Sequence, residues 1–248
     1  MENMASFNFF NGLESLLVHK YRSAPVVYRF RDHPGVKDPI ETMGIPHTEV
    51  DVILANGRSV GFDYQLSHGD TIAVYPPFST APIVPLVRLS QAITSPATFV
   101  LDVHLGKLAR RLRLLGFDTL YRNDFTDTEI LRLAVEQERI LLTRDLGILK
   151  HRRLAHGALV RSDYVDEQVR QVLARYHLHG QIRPWLRCMT CNGLIETVTK
   201  GEVLQRLEPK TRRYYEEFQR CTGCGQLYWK GSHHEKIEKW LENMLTSR

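Results

Sequence analysis

The stretch that decides the fold is LDVHLGKLARRLRLLGFDTLYRNDFTDTEILRLAVEQERILLTRD, residues 101–145. Its first two residues close TFVLD (98–102), a short apolar strand ending in an acid. GKLARRLRLLG (106–116) places Leu108, Leu112 and Leu115, with the preceding Leu105, on one helical face, and Gly116 is a stop signal. DTLYR (118–122) returns to strand-like composition, and Thr126-x-x-Glu129 is a capping box opening a helix over TDTEILRLAVEQE. RILLTRD (139–145) is a buried-strand pattern that again ends in an acid. Strands alternating with helices at this spacing predict βαβ units and a parallel sheet.

Further along, GALVR (157–161) adds a strand and VDEQVRQVLARYHL (165–178) a helix. On the N-terminal side, PPFSTAPIVPLVRLSQAITSPA (76–97) is proline-rich linker chemistry. Before it, residues 4–76 read as a small α+β unit. ASFNFF and PVVYRF are strands, GLESLLVHKYR is a short amphipathic helical stretch, and VKDPIETMGIP holds a turn or short helix. TEVDVILANGRSV gives two strands around the Asn56-Gly57 turn, and SHGDTIAVYPP closes with a last strand, a pattern that fits a β-grasp. The expected organisation is an N-terminal β-grasp at 1–80, a linker at 81–97, an α/β domain at 98–183, and a cysteine-bearing unit with a C-terminal helix at 184–248.

Of the 248 residues, 43% are hydrophobic and 25% charged, which supplies a core and excludes global disorder, collagen-like and coiled-coil architectures. No apolar run approaches the roughly 18 residues a membrane span needs. The opening MENMASFNFFNGLESLL lacks a basic flank before an apolar core, so the chain reads as soluble and cytoplasmic. The net charge of +5 is unevenly spread: −2 over residues 1–90, +4 over 91–183 and +3 over 184–248. A basic surface over the last two-thirds suits a polyanion such as nucleic acid.

All four cysteines form two pairs, Cys188-x-x-Cys191 and Cys221-x-x-Cys224, separated by 29 residues. Each pair is followed by Asn or Gly, the chemistry of a knuckle that aims two sulfurs at one ion. Four thiolates favour tetrahedral Zn²⁺ with no vacancy for catalysis, so the site reads as structural. A redox or iron site, or buried free thiols, is the alternative.

Asp102 and Asp145 each end a strand, and Asp127 stands in the first turn of a helix that follows another strand. Ligands of parallel sheets gather beyond the carboxyl ends of the strands. Three carboxylates converging there imply Mg²⁺ or Mn²⁺, which can activate water against a phosphodiester. Each acid also has a structural reading: Asp127 complements a helix dipole, Asp145 caps LGILKHRR, and Asp102 caps the helix near Leu105. Lys107, Arg110, Arg111 and Arg113 follow Asp102 on one helix; Arg144, Lys150, Arg152 and Arg153 surround Asp145. Cations at such a site are what a phosphate backbone requires, although each also reads as part of a solvated face.

LGKLAR-x-LR-x-LG, R-x-LLTRD, the two CxxC knuckles and YWKGSH together resemble the PIN-like ribonuclease domain with a C-terminal zinc ribbon. That family is named after the C-terminal domain of the mutator exonuclease protein Mut-seven. The likeness spans about 98–240, and the residues before it resemble the ubiquitin-like β-grasp domain often fused to it. The resemblance implies an α/β, PIN-like fold and metal-dependent RNA cleavage, with Asp102, Asp127 and Asp145 as the acids. Thr143 matches a position where such sites carry a hydroxyl, and Asp124 and Asp163 are the candidates for a fourth acid. The β-grasp unit departs from sulfur carriers and modifiers, whose free C-terminal Gly-Gly is replaced here by VYPPFSTAP. It is left with protein docking or RNA positioning.

After the second knuckle, YWKGSHH offers Tyr228 and Trp229 for stacking on unpaired bases and Lys230 for phosphate, with ribbon core as the competing role of the rings. His233 has nothing beyond its nearness to the thiols to make it a ligand. The sequence therefore predicts a ribonuclease acting on RNA, tRNA among the candidates, with structural Zn²⁺ and catalytic Mg²⁺ or Mn²⁺. Its rival is a non-catalytic RNA-, tRNA- or ribosome-binding module. A third reading is a toxin-like chain held off by a protein partner.

Overall fold

The computed structural model describes residues 2–77 and 87–246. Residues 81–86 of the expected linker lie outside the described residues, as do the side chains of Ser232 and His233.

The first sheet contains β1 (Asn3–Phe9), β2 (Val26–Phe30), β3 (Val52–Ala55), β4 (Arg58–Val60) and β5 (Thr71–Tyr75) in the order β2-β1-β5-β3-β4. Only β1 and β5 run parallel, and helix α1 (Lys37–Thr42) follows β2, the arrangement of a ubiquitin-like β-grasp. Phe7, Leu13, Ile40, Met43, Ile53 and Ile72 are fully buried in its core. Asn56 and Gly57 both take positive φ, as a two-residue hairpin turn requires. The stretch expected to be one helix, GLESLLVHKYR, forms two 3₁₀ turns instead, Leu13–Leu16 and His19–Tyr21. Leu17 between them is extended and the Val18 N–H is drawn to Met43 O at 2.9 Å, so packing on the next element overrides a helical pattern too short to hold alone.

The second sheet is parallel throughout. Its strands are β6 (Thr98–Leu101), β7 (Asp118–Leu120), β8 (Ile140–Thr143) and β9 (Gly157–Leu159), in the order β7-β6-β8-β9. Helices α2 (Gly106–Leu114), α3 (Asp127–Glu136), α4 (Leu146–Leu149) and α5 (Val165–Arg175) connect and cover them. Phe99, Leu101 and Leu142 pack with α2 and α5 on one face; Val100 and Leu141 pack with α3 and α4 on the other. Burial on both faces explains the unbroken apolar strands. The first connection leads from β6 to β7 and the next element lands on the other side of β6, so the order reverses between β6 and β8.

The third sheet is antiparallel: β10 (Ile195–Val198), β11 (Phe218–Cys221) and β12 (Leu227–Trp229), with α6 (Lys200–Val203) and α7 (Pro209–Tyr214) between the first two strands. The last helix, α8 (Ser232–Thr246), buries Leu241 and Met244 in the core shared by α2 and α5.

Candidate active site and metal centre

Asp102 and Asp145 leave the carboxyl ends of β6 and β8, on either side of the point where the strand order reverses. One residue joins them. Thr143, 1% exposed, donates its hydroxyl to Asp102 Oδ2 at 2.9 Å and accepts from the Asp145 N–H at 2.9 Å. Asp145 also caps α4, its Oδ1 accepting from Gly147 N at 2.6 Å, so its structural reading holds. Asp102 occupies the N-cap position of the following 3₁₀ turn without making a side-chain cap, so its carboxylate is directed to Thr143 instead. Each acid keeps one carboxylate oxygen outside these bonds. Gly106, at the start of α2, leaves room beside the same edge: a Cβ there would lie 2.7 Å from the Tyr121 hydroxyl, which is bonded to Val103 O.

Asp127 opens α3 on an exposed turn, after the capping box Thr126–Glu129 that the sequence predicts. Asp102, Asp127 and Asp145 do not form a cluster as close as that of the cysteines. Among the described residues, the four cysteines are the only group of three or more His, Cys, Asp or Glu side chains placed to hold a metal. The reason is topological: Asp127 follows β7 at the sheet edge, whereas Asp102 and Asp145 flank the switch point. Hard carboxylate oxygens such as those of Asp102 and Asp145 suit Mg²⁺ or Mn²⁺ in kind. Asp124 and Asp163, the candidates for a fourth acid, are ion-paired with Arg122 and Arg144.

The cations divide. Lys107 and Arg110 stand exposed on α2 with no hydrogen bond or ion pair among the described residues. Arg111 lies 4.2 Å over the ring of Trp240. Arg113 corrects the expectation that it meets RNA: it is 4% exposed and donates to Thr119 O, Met189 O and Thr190 O at 3.0, 3.3 and 2.8 Å. Its place among leucines in RLRLLG was the signal that it faces inward. Lys150, Arg152 and Arg153 are a second correction. They follow Asp145 in the chain, but the crossover to parallel β9 carries them towards the amino end of the sheet, away from the acids. Lys150 there donates to Glu41 O of the β-grasp unit at 2.7 Å.

The four cysteine sulfurs lie within 4.8 Å of one another, with Cys191–Cys221 at 3.3 Å and Cys188–Cys224 at 3.7 Å. A tetrahedral ion with bonds of about 2.3 Å would set sulfurs about 3.8 Å apart, so the cluster is compatible with structural zinc. Asn192 and Gly225, directly after each pair, both take φ of 72°, which turns the backbone back over the sulfurs. Burial pushes the Cys188 thiol up, but the Tyr228 hydroxyl at 3.1 Å and knuckle N–H groups outweigh it and bring it down to about 6. A Gln226 backbone bond pulls Cys224 down, but burial and the neighbouring sulfurs push it up to about 12. Four crowded thiols cannot all ionise unless a cation stands between them. The Tyr228 hydroxyl therefore serves the thiol cluster. Trp229, 37% exposed, lines an aromatic groove with Trp185, Tyr214 and Lys210, and the adjacent Lys230 is paired with Glu217.

Sequence reasoning missed the residues that lock these parts together. Asp118 accepts from Arg139 and Asn192 at 2.8 and 2.9 Å and pairs with Arg187 at 3.2 Å, tying β7 to the first knuckle. Glu49, 2% exposed, accepts from Leu159 N on β9 at 2.9 Å and pairs with Arg175 at 3.1 Å. Neither lies in a motif; only their partners across the fold mark them.

No helix among the described residues is long and apolar enough to cross a membrane. Among curated proteins, none matches the chain. Two family models do: the Mut7-C ubiquitin model over residues 2–81, and the Mut7-C RNAse domain model over residues 97–241. The second alone spans more than half of the sequence and runs from the first strand of the parallel sheet to the helix that closes its core. On that match the chain belongs to the Mut7-C RNAse domain family, with a ubiquitin-like domain at its N-terminus.

Proposed function

We propose that this protein is a metal-dependent ribonuclease acting at the carboxyl edge of the β6–β8 pair. The observation that carries the reading is the Thr143 hydroxyl, bonded to one acid and to the backbone of the other across the switch point. Asp102 and Asp145 are the metal-holding residues, and Asp127, at the end of the neighbouring strand connection, completes the acidic set. When bound, Mg²⁺ or Mn²⁺ supplies positive charge for the developing phosphoryl oxygens and lowers the pKa of the attacking water. Thr143 holds the Asp102 carboxylate in place while the α4 cap does so for Asp145. Lys107 and Arg110 bind the RNA backbone beside them, Arg144 extends that surface, and Trp229 with Lys230 meets a strand running towards the ribbon. Zinc in the four-thiolate site keeps the ribbon folded, and reduced metal-ligating cysteines suit the cytoplasm.

One observation favours a second reading: among the described residues, no three acids gather their oxygens as closely as the four cysteines gather their sulfurs. A non-catalytic RNA-, tRNA- or ribosome-binding module needs no such group. The test is cleavage of a panel of labelled RNAs, tRNA included, with Mg²⁺ or Mn²⁺ and with EDTA. Asp102→Asn and Asp145→Asn are the variants, because Asn keeps an acceptor for Thr143 and is as good a helix cap as Asp. Metal-dependent cutting by the wild type, lost in both variants with zinc content unchanged, supports the nuclease. RNA retained without cutting in any metal establishes the binding module.

A further inference from the structure

A cleft of about 740 Å³ opens between the β-grasp unit and the parallel sheet, at the end of the sheet opposite Asp102 and Asp145. That volume lies within the roughly 300–1,000 Å³ of small-molecule sites. Arg152 and Arg153 line it from the loop entering β9, both exposed and without a hydrogen bond or ion pair among the described residues. Lys37 and Phe62 line it from the β-grasp side, the Lys37 ammonium 5.8 Å over the Phe62 ring. Leu89 and Ile93 add an apolar wall.

The charge of this cleft is unbalanced. Among the described residues the one acid in its lining, Asp51, is buried and already bonded to Arg88 and Ser90. Arg175, also in the lining, is matched by Glu49. Among the described residues, the two guanidiniums of the loop remain unmatched.

We propose that this cleft binds a nucleotide phosphate. Two adjacent unpaired guanidiniums match a phosphoryl dianion in charge and in forked geometry. Phe62 and the Leu89–Ile93 wall offer the flat and apolar surface that a base requires. The ligand bridges the two folded units and so clamps them together. The site is separate from the proposed cleavage edge and does not depend on it.

The experiment is calorimetric titration of the full-length, zinc-loaded protein with AMP, inorganic phosphate and adenosine. AMP and phosphate bind the wild type, and adenosine binds AMP's site roughly 10-fold or more weakly for want of the charged group. Arg152→Ala/Arg153→Ala, a change confined to exposed loop residues, weakens AMP by roughly 10-fold or more, and Asp145→Asn leaves it unchanged. A 5′-phosphorylated oligoribonucleotide tells the two sources apart: displacement of AMP identifies an RNA end as the ligand, and binding without displacement identifies a free nucleotide. No AMP binding by the wild type, equal affinity in the double arginine variant, or loss in Asp145→Asn overturns the proposal.

Discussion

Thr143 concentrates the residue-scale argument. Its hydroxyl is inaccessible to water and holds two groups, so Val in its place keeps the shape and strips both bonds. Thr143→Val is expected to cost about 1–3 kcal/mol, because the partly buried Asp145 N–H and the Asp102 carboxylate both lose a partner. If the edge is catalytic, a carboxylate released from its fixed position should also lower the cleavage rate on the order of 10²-fold. Urea denaturation and a single-turnover cleavage assay check the two effects separately, and Thr143→Ser, which restores the hydroxyl, should recover most of the rate. A variant that loses stability but keeps the wild-type rate would remove Thr143 from the site.

Between elements, the junction of β7 with the first cysteine knuckle is built from polar side chains. Arg113 donates to the knuckle carbonyls from inside α2, Asn192 accepts from Thr119 N at 3.0 Å, and Asp118 gathers Arg139, Asn192 and Arg187. Burial raises the Asp118 carboxyl, but its bonds to Arg139 and Asn192 and the nearby guanidiniums hold it below its ordinary value of 3.8. A carboxylate depressed in the folded state stabilises fully above the unfolded value, and that contribution fades as pH falls through the folded one. The junction should therefore be intact at neutral pH and weaken below about pH 4. Asp118→Asn is expected to lose roughly 1–3 kcal/mol at pH 7 and less at pH 3, since the wild type's advantage fades as pH falls below the ordinary carboxyl value. Urea midpoints of both proteins at the two pH values measure this; a constant difference would show that the charge of Asp118 is not the anchor.

For the whole molecule, the decisive contact is between the β-grasp unit and the free edge of the parallel sheet. Strand β9 has outward backbone groups that would otherwise seek another chain. Glu49 takes Leu159 N, Arg175 donates to Gly157 O at 3.2 Å, and Gln171 donates to Leu159 O at 2.7 Å. His47 bonds Leu154 O, and Arg161 reaches Gly12 O, so the contact runs along the whole strand. Removing one member of the buried Glu49–Arg175 pair strands the other charge. Glu49→Ala is expected to cost about 3–5 kcal/mol and to raise amide exchange at Leu159. Hydrogen exchange at 157–160 reads this directly, and unchanged protection there would show that the two units are not coupled through the pair.

Much of this was legible in order along the chain. The alternation of strand and helix from 98 to 178, the capping box at Thr126, the Asn56-Gly57 turn and the paired cysteines are local signals, governed by backbone geometry and side-chain period, so the sequence alone determined them. The strand-end acids were legible for the same reason. Tertiary structure decided which of these acids are joined, because strand order, and not spacing in the chain, lets Thr143 link Asp102 to Asp145. It also decided the fate of the cations: Arg113 turns inward to the knuckle, while the crossover into β9 carries Arg152 and Arg153 to the far end of the sheet. Charge in a sequence has sign but no direction. A guanidinium becomes a structural tie, an interface contact or a ligand site only when folding fixes which carbonyl, carboxylate or open cleft it faces.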